Sequence, residues 1–127
     1  VAITPASGFV DAKAALAIGL AAGLCCYWGA TGLKRMLGAD DSLDVFGIHG
    51  IGGIVGALLT GIFASKQLSG VDASLATQAI GAFSTLLYSL VMSWIILTLI
   101  DWTIGLRVEA EDEAVGLDLT QHGEQVP

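Results

Sequence analysis

Three stretches of the chain carry no charged side chain and are long enough to cross a hydrocarbon core: Ala14 to Leu33, Val45 to Ser65 and Ala73 to Ile100. A core about 30 Å thick needs about 20 apolar residues at a rise of about 1.5 Å each. Hydrocarbon offers peptide groups no partners, so such runs predict helices that satisfy their own backbone. The third run exceeds that length, which predicts either tilt or an interfacial start over Ala73 to Gln78. The polar breaks divide the chain into seven parts: 1–10, the end of a preceding helix and its loop; 11–37, a membrane helix; 38–44, a connection; 45–65, a second helix; 66–72, a loop; 73–106, a third helix; and 107–127, a tail. The expected fold class is all-α, a polytopic membrane helix bundle. Val1 stands where a start methionine would be, with no charged flank before an apolar Val1 to Ile3, which excludes a signal peptide and predicts a C-terminal piece of a longer chain.

Composition strengthens this reading. The 127 residues are 54% hydrophobic and 13% charged, with mean hydropathy +0.77, outside the range of a water-soluble domain. Seventeen glycines fit helices that approach closely through small-xxx-small faces, and Gly19-xxx-Gly23 and Gly52-xxx-Gly56 have that spacing. The net charge of -7 is concentrated at one end: Glu109, Glu111, Asp112, Glu113, Asp118 and Glu124 fall in 109–127 without a Lys or Arg. The body is nearly neutral and the tail is expected to be extended or conditionally ordered. Nucleic acid is excluded as a partner by this balance.

The ends of the runs have the expected chemistry. Trp28 and Trp102 lie near run ends where interfacial aromatics belong, whereas Trp94 does not. Lys34, Arg35 and Arg107 fall on one side against Lys13 and Lys66 on the other, which places the C-terminus in the cytoplasm by the distribution of basic residues. The 38–44 connection is then cytoplasmic and the 66–72 loop external. Ser42 and Asp44 stand before the second run as expected N-caps, where acids also suit the helix dipole. Cys25 and Cys26 are adjacent, a spacing that rarely meets disulfide geometry, and are expected to be packing residues.

One side chain inside the runs is expensive. His49 is the only ionisable group in the second run, and intramembrane ionisable residues mark pathways and proton relays unless they are satisfied packing groups. Gly53, Gly56 and Thr60 follow it at helical spacing, a face of small residues that admits either a neighbouring helix or a narrow passage. Burial favours a neutral imidazole, able both to donate and to accept a hydrogen bond. No carboxylate or second imidazole shares this helix, so a metal or fixed-cation site is not expected there, and no nucleophile–base pair or phosphate loop points to an enzyme.

The sequence around this histidine, Asp44-Val-Phe-Gly-Ile-His49-Gly-Ile-Gly-Gly-Ile-Val-Gly56 followed by Thr60-Gly-Ile-Phe63, resembles the tenth helix of ammonium transporters of the Amt/Mep/Rh superfamily, in its bacterial Amt branch. The resemblance extends through Val1-Ala-Ile-Thr-Pro-Ala6, Lys34-Arg35, Thr103-Ile-Gly-Leu-Arg-Val108, Gly116-Leu-Asp118 and His122-Gly-Glu124, in family order and across essentially the whole chain. It implies the last three helices of an eleven-helix, ammonium-transporter-like fold in the inner cell membrane, assembled as a homotrimer with a narrow hydrophobic pore in each subunit. The permeant would be ammonium or ammonia, and no cofactor is implied. Two neutral histidines line that pore in the family, each fixing the other's tautomer. His49 matches the second, and the first belongs to the fifth helix. Thr4, Val45 and Ile48 match positions resembling the inner vestibule, although ordinary packing would use the same residue types.

The tail resembles the family's cytoplasmic C-terminal region, which engages neighbouring subunits and on which PII-type regulators act. Arg107, Gly116, Asp118, His122 and Glu124 are the residues that carry this resemblance, with Arg107 the candidate anchor for the acids. The alternative function is an ammonium-sensing or regulatory membrane module of the same fold. Asp44 also limits the depth of His49, since five residues separate them, about 7 Å of helix rise. A water-filled inner vestibule reaching toward His49 would keep Asp44 hydrated.

Overall fold

The computed structural model describes residues 1–124. The last three positions of the expected 107–127 tail lie outside the described residues. Helices account for the regular structure, and no strand occurs among the described residues. Among the described residues three helices are long and apolar enough to cross a membrane: α1, Ala12–Leu37; α2, Phe46–Phe63; and α3, Leu75–Thr103. Their lengths of 26, 18 and 29 residues correspond to about 39, 27 and 44 Å at the α-helical rise.

Local chemistry sets each boundary. Asp11 has extended backbone, and its carboxylate accepts the Ala14 N–H at 2.8 Å, satisfying one of the donors that every helix start leaves open. α1 is α-helical over Ala12–Trp28, π-helical over Gly29–Leu33 and α-helical again over Lys34–Leu37. Gly38 ends it at φ +59°, where glycine avoids the Cβ penalty of the left-handed region. The Gly38 and Ala39 N–H groups close onto the Arg35 and Lys34 carbonyls, the bonding pattern of a glycine-terminated helix.

α2 begins differently from the sequence expectation. Neither Ser42 nor Asp44 caps it; Asp41 does, its two carboxylate oxygens accepting the Val45 and Phe46 N–H groups at 2.9 Å each. Asp44 is occupied elsewhere, because its backbone turns through φ +55° and its carboxylate pairs with Lys34. The helix is π-helical over Phe46–Ile51 and α-helical over Gly52–Phe63. Between α2 and α3 the loop contains a short helical turn, Lys66–Ser69, ended by Gly70 at φ +71°. Ser74 then starts α3, its hydroxyl oxygen accepting the Thr77 N–H at 3.1 Å.

The described residues fall into two compact units, one over Val1–Leu86 and the other beginning at Leu87. In the first, a 3-10 turn over Thr4–Ala6 packs on α2, and α1 also packs on α2. Ala2, Ala6 and Ile18 are buried there, with Val10, Ala22 and Leu59 around them. Elsewhere the helices turn apolar side chains outward: Leu16, Leu20 and Leu24, at four-residue spacing on α1, are 72%, 74% and 76% exposed. No residue of α3 is buried. Against hydrocarbon such faces cost nothing, and helix association then depends on close van der Waals approach, not on escape from water.

The second unit carries the later part of α3 and the tail. The tail is not extended over its described residues: Ala110–Val115 is α-helical and Asp118–His122 makes a π-helical turn. Glu111, Asp112 and Glu113 sit in the first turn of that helix, where its dipole favours negative charge. The charge run therefore also supports local structure.

Candidate functional site

The turn bearing His49 is built where α1 and α2 cross. Gly29 and Gly47 are both buried, and a Cβ on Gly47 would lie 2.7 Å from Ala30 Cα and 2.7 Å from the Gly29 carbonyl carbon. Backbone meets backbone here. The contact falls within both π-helical segments, so each helix is locally widened at the crossing. An aromatic ring folds over a glycine four residues later in each: Trp28 over Gly32 and Phe46 over Gly50, each 2.9 Å from a Cβ placed there. A π turn inside an α-helix is uncommon and frequent at functional positions, and this one holds the only ionisable side chain of α2.

Three further contacts fix the turn. Lys34 Nζ lies 2.7 Å from Asp44 Oδ1, the two side chains being 30% and 38% exposed. The Ile48 N–H donates to the Asp44 carbonyl at 3.0 Å. Cys26 Sγ donates to the Ile48 carbonyl at 3.7 Å, so this free cysteine links α1 to the turn instead of merely filling space. Asp41's carboxyl is held below its ordinary range by the Phe46 and Val45 backbone N–H bonds, with a smaller attraction from Lys34.

Beyond the turn the faces of α2 diverge. Gly52, Gly56 and Thr60 are buried, Gly52 against Cys26 Sγ and Gly56 against the backbone of Ala2, with a Cβ on Gly56 falling 2.8 Å from the Ala2 carbonyl carbon. Thr60 satisfies its buried hydroxyl by donating to the Gly56 carbonyl at 2.7 Å. Gly53 faces open space and His49 is exposed. The small-residue series expected on one face with His49 is thus divided, Gly56 against the N-terminal segment, Thr60 buried and Gly53 toward open space. Of the two small-xxx-small spacings, Gly52-xxx-Gly56 is used for packing, while Gly19 and Gly23 meet nothing within 4 Å.

The other candidate residues fall into two groups. Val45 and Ile48 are 50% and 39% exposed at the same helix start as His49. Thr4 is exposed at the head of the 3-10 turn that packs on Gly52–Phe63. In the tail, Arg107 Nε and Nη2 donate to Glu113 Oε1 and Oε2 at 2.5 and 2.9 Å, a bidentate pair that lowers the Glu113 carboxyl below its usual range. Gly116 at φ +110° and Gly123 at φ +67° bracket the Asp118–His122 turn, which the Glu124 N–H closes onto the Asp118 carbonyl at 2.8 Å. Among the described residues no group of three or more His, Cys, Asp and Glu side chains is arranged to hold a metal ion.

Sequence reasoning missed Asp11, Cys26, the Lys34–Asp44 pair and the Gly29–Gly47 crossing. Asp11 before an apolar run is a legible N-cap signal. Lys34 enters the sequence reading for its sign and for the Lys34-Arg35 motif, whereas a base and an acid flanking one connection also suggest the pair. Nothing in the pattern signals a π turn.

The model of the Ammonium Transporter Family matches residues 1–126. An ammonium transporter of Bacillus subtilis (strain 168) is 41% identical over 98% of this chain and 33% of its own length. An ammonium transporter of Aquifex aeolicus (strain VF5) is 43% identical over 98% of the chain and 31% of its own length. Ammonium transporter Amt1 of Archaeoglobus fulgidus is 42% identical over 97% of the chain and 33% of its own length. The chain spans about a third of the length of these curated relatives.

Proposed function

The chain belongs to the Ammonium Transporter Family, and on that premise we propose that the full-length protein carrying it conducts ammonium or ammonia across a cell membrane, with His49 lining the path. The observation that carries the reading is the position of His49: the family match runs through it, and it is the one ionisable side chain inside α2. An ionisable group at such a place is retained at a cost that a pathway role explains.

In this reading His49 is one of two pore histidines, its two ring nitrogens available for hydrogen bonds. The pair supplies polar contacts in an otherwise apolar passage. Hydrated K⁺ and Na⁺ lose too much solvation to enter, whereas ammonium can exchange water for ring contacts or give up its proton. Val45, Ile48 and Thr4 border the inner approach. The divisions at 38–44 and 66–72 are cytoplasmic and external, so the tail is cytoplasmic in the inner membrane. Three copies form a homotrimer, and a PII-type protein acts on the tail through the surface that includes Arg107, Gly116, Asp118, His122 and Glu124.

Flux measurement on the purified full-length protein in liposomes tests this. An inward ammonium gradient is expected to drive protein-dependent uptake, and an equal K⁺ gradient is not. Absence of ammonium flux from correctly inserted protein would overturn the transporter reading in favour of a sensor.

A further inference from the structure

Resting on the pore role of His49, we propose that Lys34 and Asp44 are a positioning pair that holds the His49 turn in its π-helical register, so that selectivity depends on them although neither touches the permeant. Asp44 is the only non-glycine residue with positive φ among the described residues, at 55°. L side chains avoid this region, and Asp and Asn tolerate it best. A backbone held there against preference needs a restraint, and Lys34 from the last turn of α1 supplies it at 2.7 Å.

The restraint reaches His49 through main chain. The Asp44 carbonyl accepts from the Ile48 N–H at 3.0 Å, the Ile48 carbonyl accepts from Cys26 Sγ at 3.7 Å, and the His49 carbonyl accepts from the Gly52 N–H. The turn is therefore linked to α1 at two points, Asp44 just before it and Ile48 within it. A π turn competes with the α register available to the same residues. A one-residue slip between the two would turn the imidazole about the helix axis by roughly 100°, enough to take it off any path it lines. Phe46–Ile51 lies immediately after the pair, so loosening the pair frees the slip. The Lys66–Asp72 pair offers a comparison: it joins the same residue types on the other connection, with side chains 67% and 75% exposed, and adjoins no π turn.

The test uses the full-length protein in liposomes and compares Lys34→Met, Lys34→Arg, Asp44→Asn, Lys66→Met and His49→Ala, reading the ratio of ammonium to K⁺ flux and assembly in detergent. Lys34→Met and Asp44→Asn are expected to lower the ratio on the order of tenfold, as small misplacements of working groups do, while Lys34→Arg and Lys66→Met keep it. Wild-type discrimination in either assembled variant that removes the charge would overturn the proposal, as would an equal loss in Lys66→Met. If neither Lys34→Met nor Asp44→Asn assembles, the pair is a folding element and the positioning role is refuted. An unchanged ratio in His49→Ala would instead refute the pore role itself, which keeps the two failures distinct.

Discussion

Gly47→Ala probes the crossing that presents His49. The added Cβ would stand 2.7 Å from Ala30 Cα and from the Gly29 carbonyl carbon, whereas carbon atoms pack favourably at about 3.5–4.0 Å. The segments must therefore part locally by about 0.8–1.3 Å. Both sides of the contact are backbone, so no rotamer change relieves it. Overpacking of this kind costs about 1–3 kcal/mol, and replacing glycine by alanine within a helix returns up to about 1 kcal/mol. The net expectation is a loss centred on about 1.5 kcal/mol, and because the propensity gain is common to both, a deficit of about 1–3 kcal/mol relative to Gly53→Ala. Gly53→Ala is the matched control, because a Cβ there meets nothing within 4 Å, and it should be neutral or stabilising by up to about 1 kcal/mol. Reversible denaturation of the full-length protein in mixed micelles measures both. Equal stabilities for the two variants would refute a tight crossing at Gly47.

Other outcomes follow from the same contacts. Asp44→Ala and Asp44→Gly both remove the Lys34 pair, but only glycine accepts φ +55° without strain, so the glycine variant should be the more stable by about 1–2 kcal/mol in the same denaturation assay. Lys66→Ala breaks a pair whose side chains are 67% and 75% exposed and should change stability by no more than about 1 kcal/mol. Asp41's lowered carboxyl means that its cap is at full strength above the ordinary carboxylate range and is lost as pH falls through the lower folded value. Amide exchange at Val45 and Phe46, corrected for its intrinsic pH dependence, should keep its protection at neutral pH and lose it only in strong acid, and Asp41→Ala should lack it throughout. Arg107→Gln removes the bidentate contact to Glu113 and should bring the Glu113 titration, followed by carboxyl NMR, back up toward its ordinary range.

The three apolar runs were legible because length and absence of charge alone separate a spanning helix from a soluble one, and Ala12–Leu37, Phe46–Phe63 and Leu75–Thr103 lie where those runs lie. His49 was legible for the same reason, since one imidazole stands out in an apolar stretch. What surrounds it was not. The cap on α2 moved from Asp44 to Asp41 because a tertiary ion pair and a left-handed turn claimed Asp44, and neither leaves a trace in local pattern. Gly29 and Gly47 lack the four-residue spacing that marks glycine packing within one helix; their significance arises only when two helices cross. In the tail Arg107 was legible as an anchor for the acids, but its partner Glu113 and the helical turns were not, because a run of like charges does not single out one acid and the dipole of a short helix leaves no trace in composition.

His49 is proposed to line the path that distinguishes ammonium from K⁺. Reconstitution of the full-length protein with His49→Ala, reading methylammonium uptake and K⁺ leak in the same vesicles, tests it most directly. Altered methylammonium uptake, weakened K⁺ exclusion or both are expected, in protein that remains assembled. Unchanged uptake together with unchanged K⁺ exclusion would contradict it.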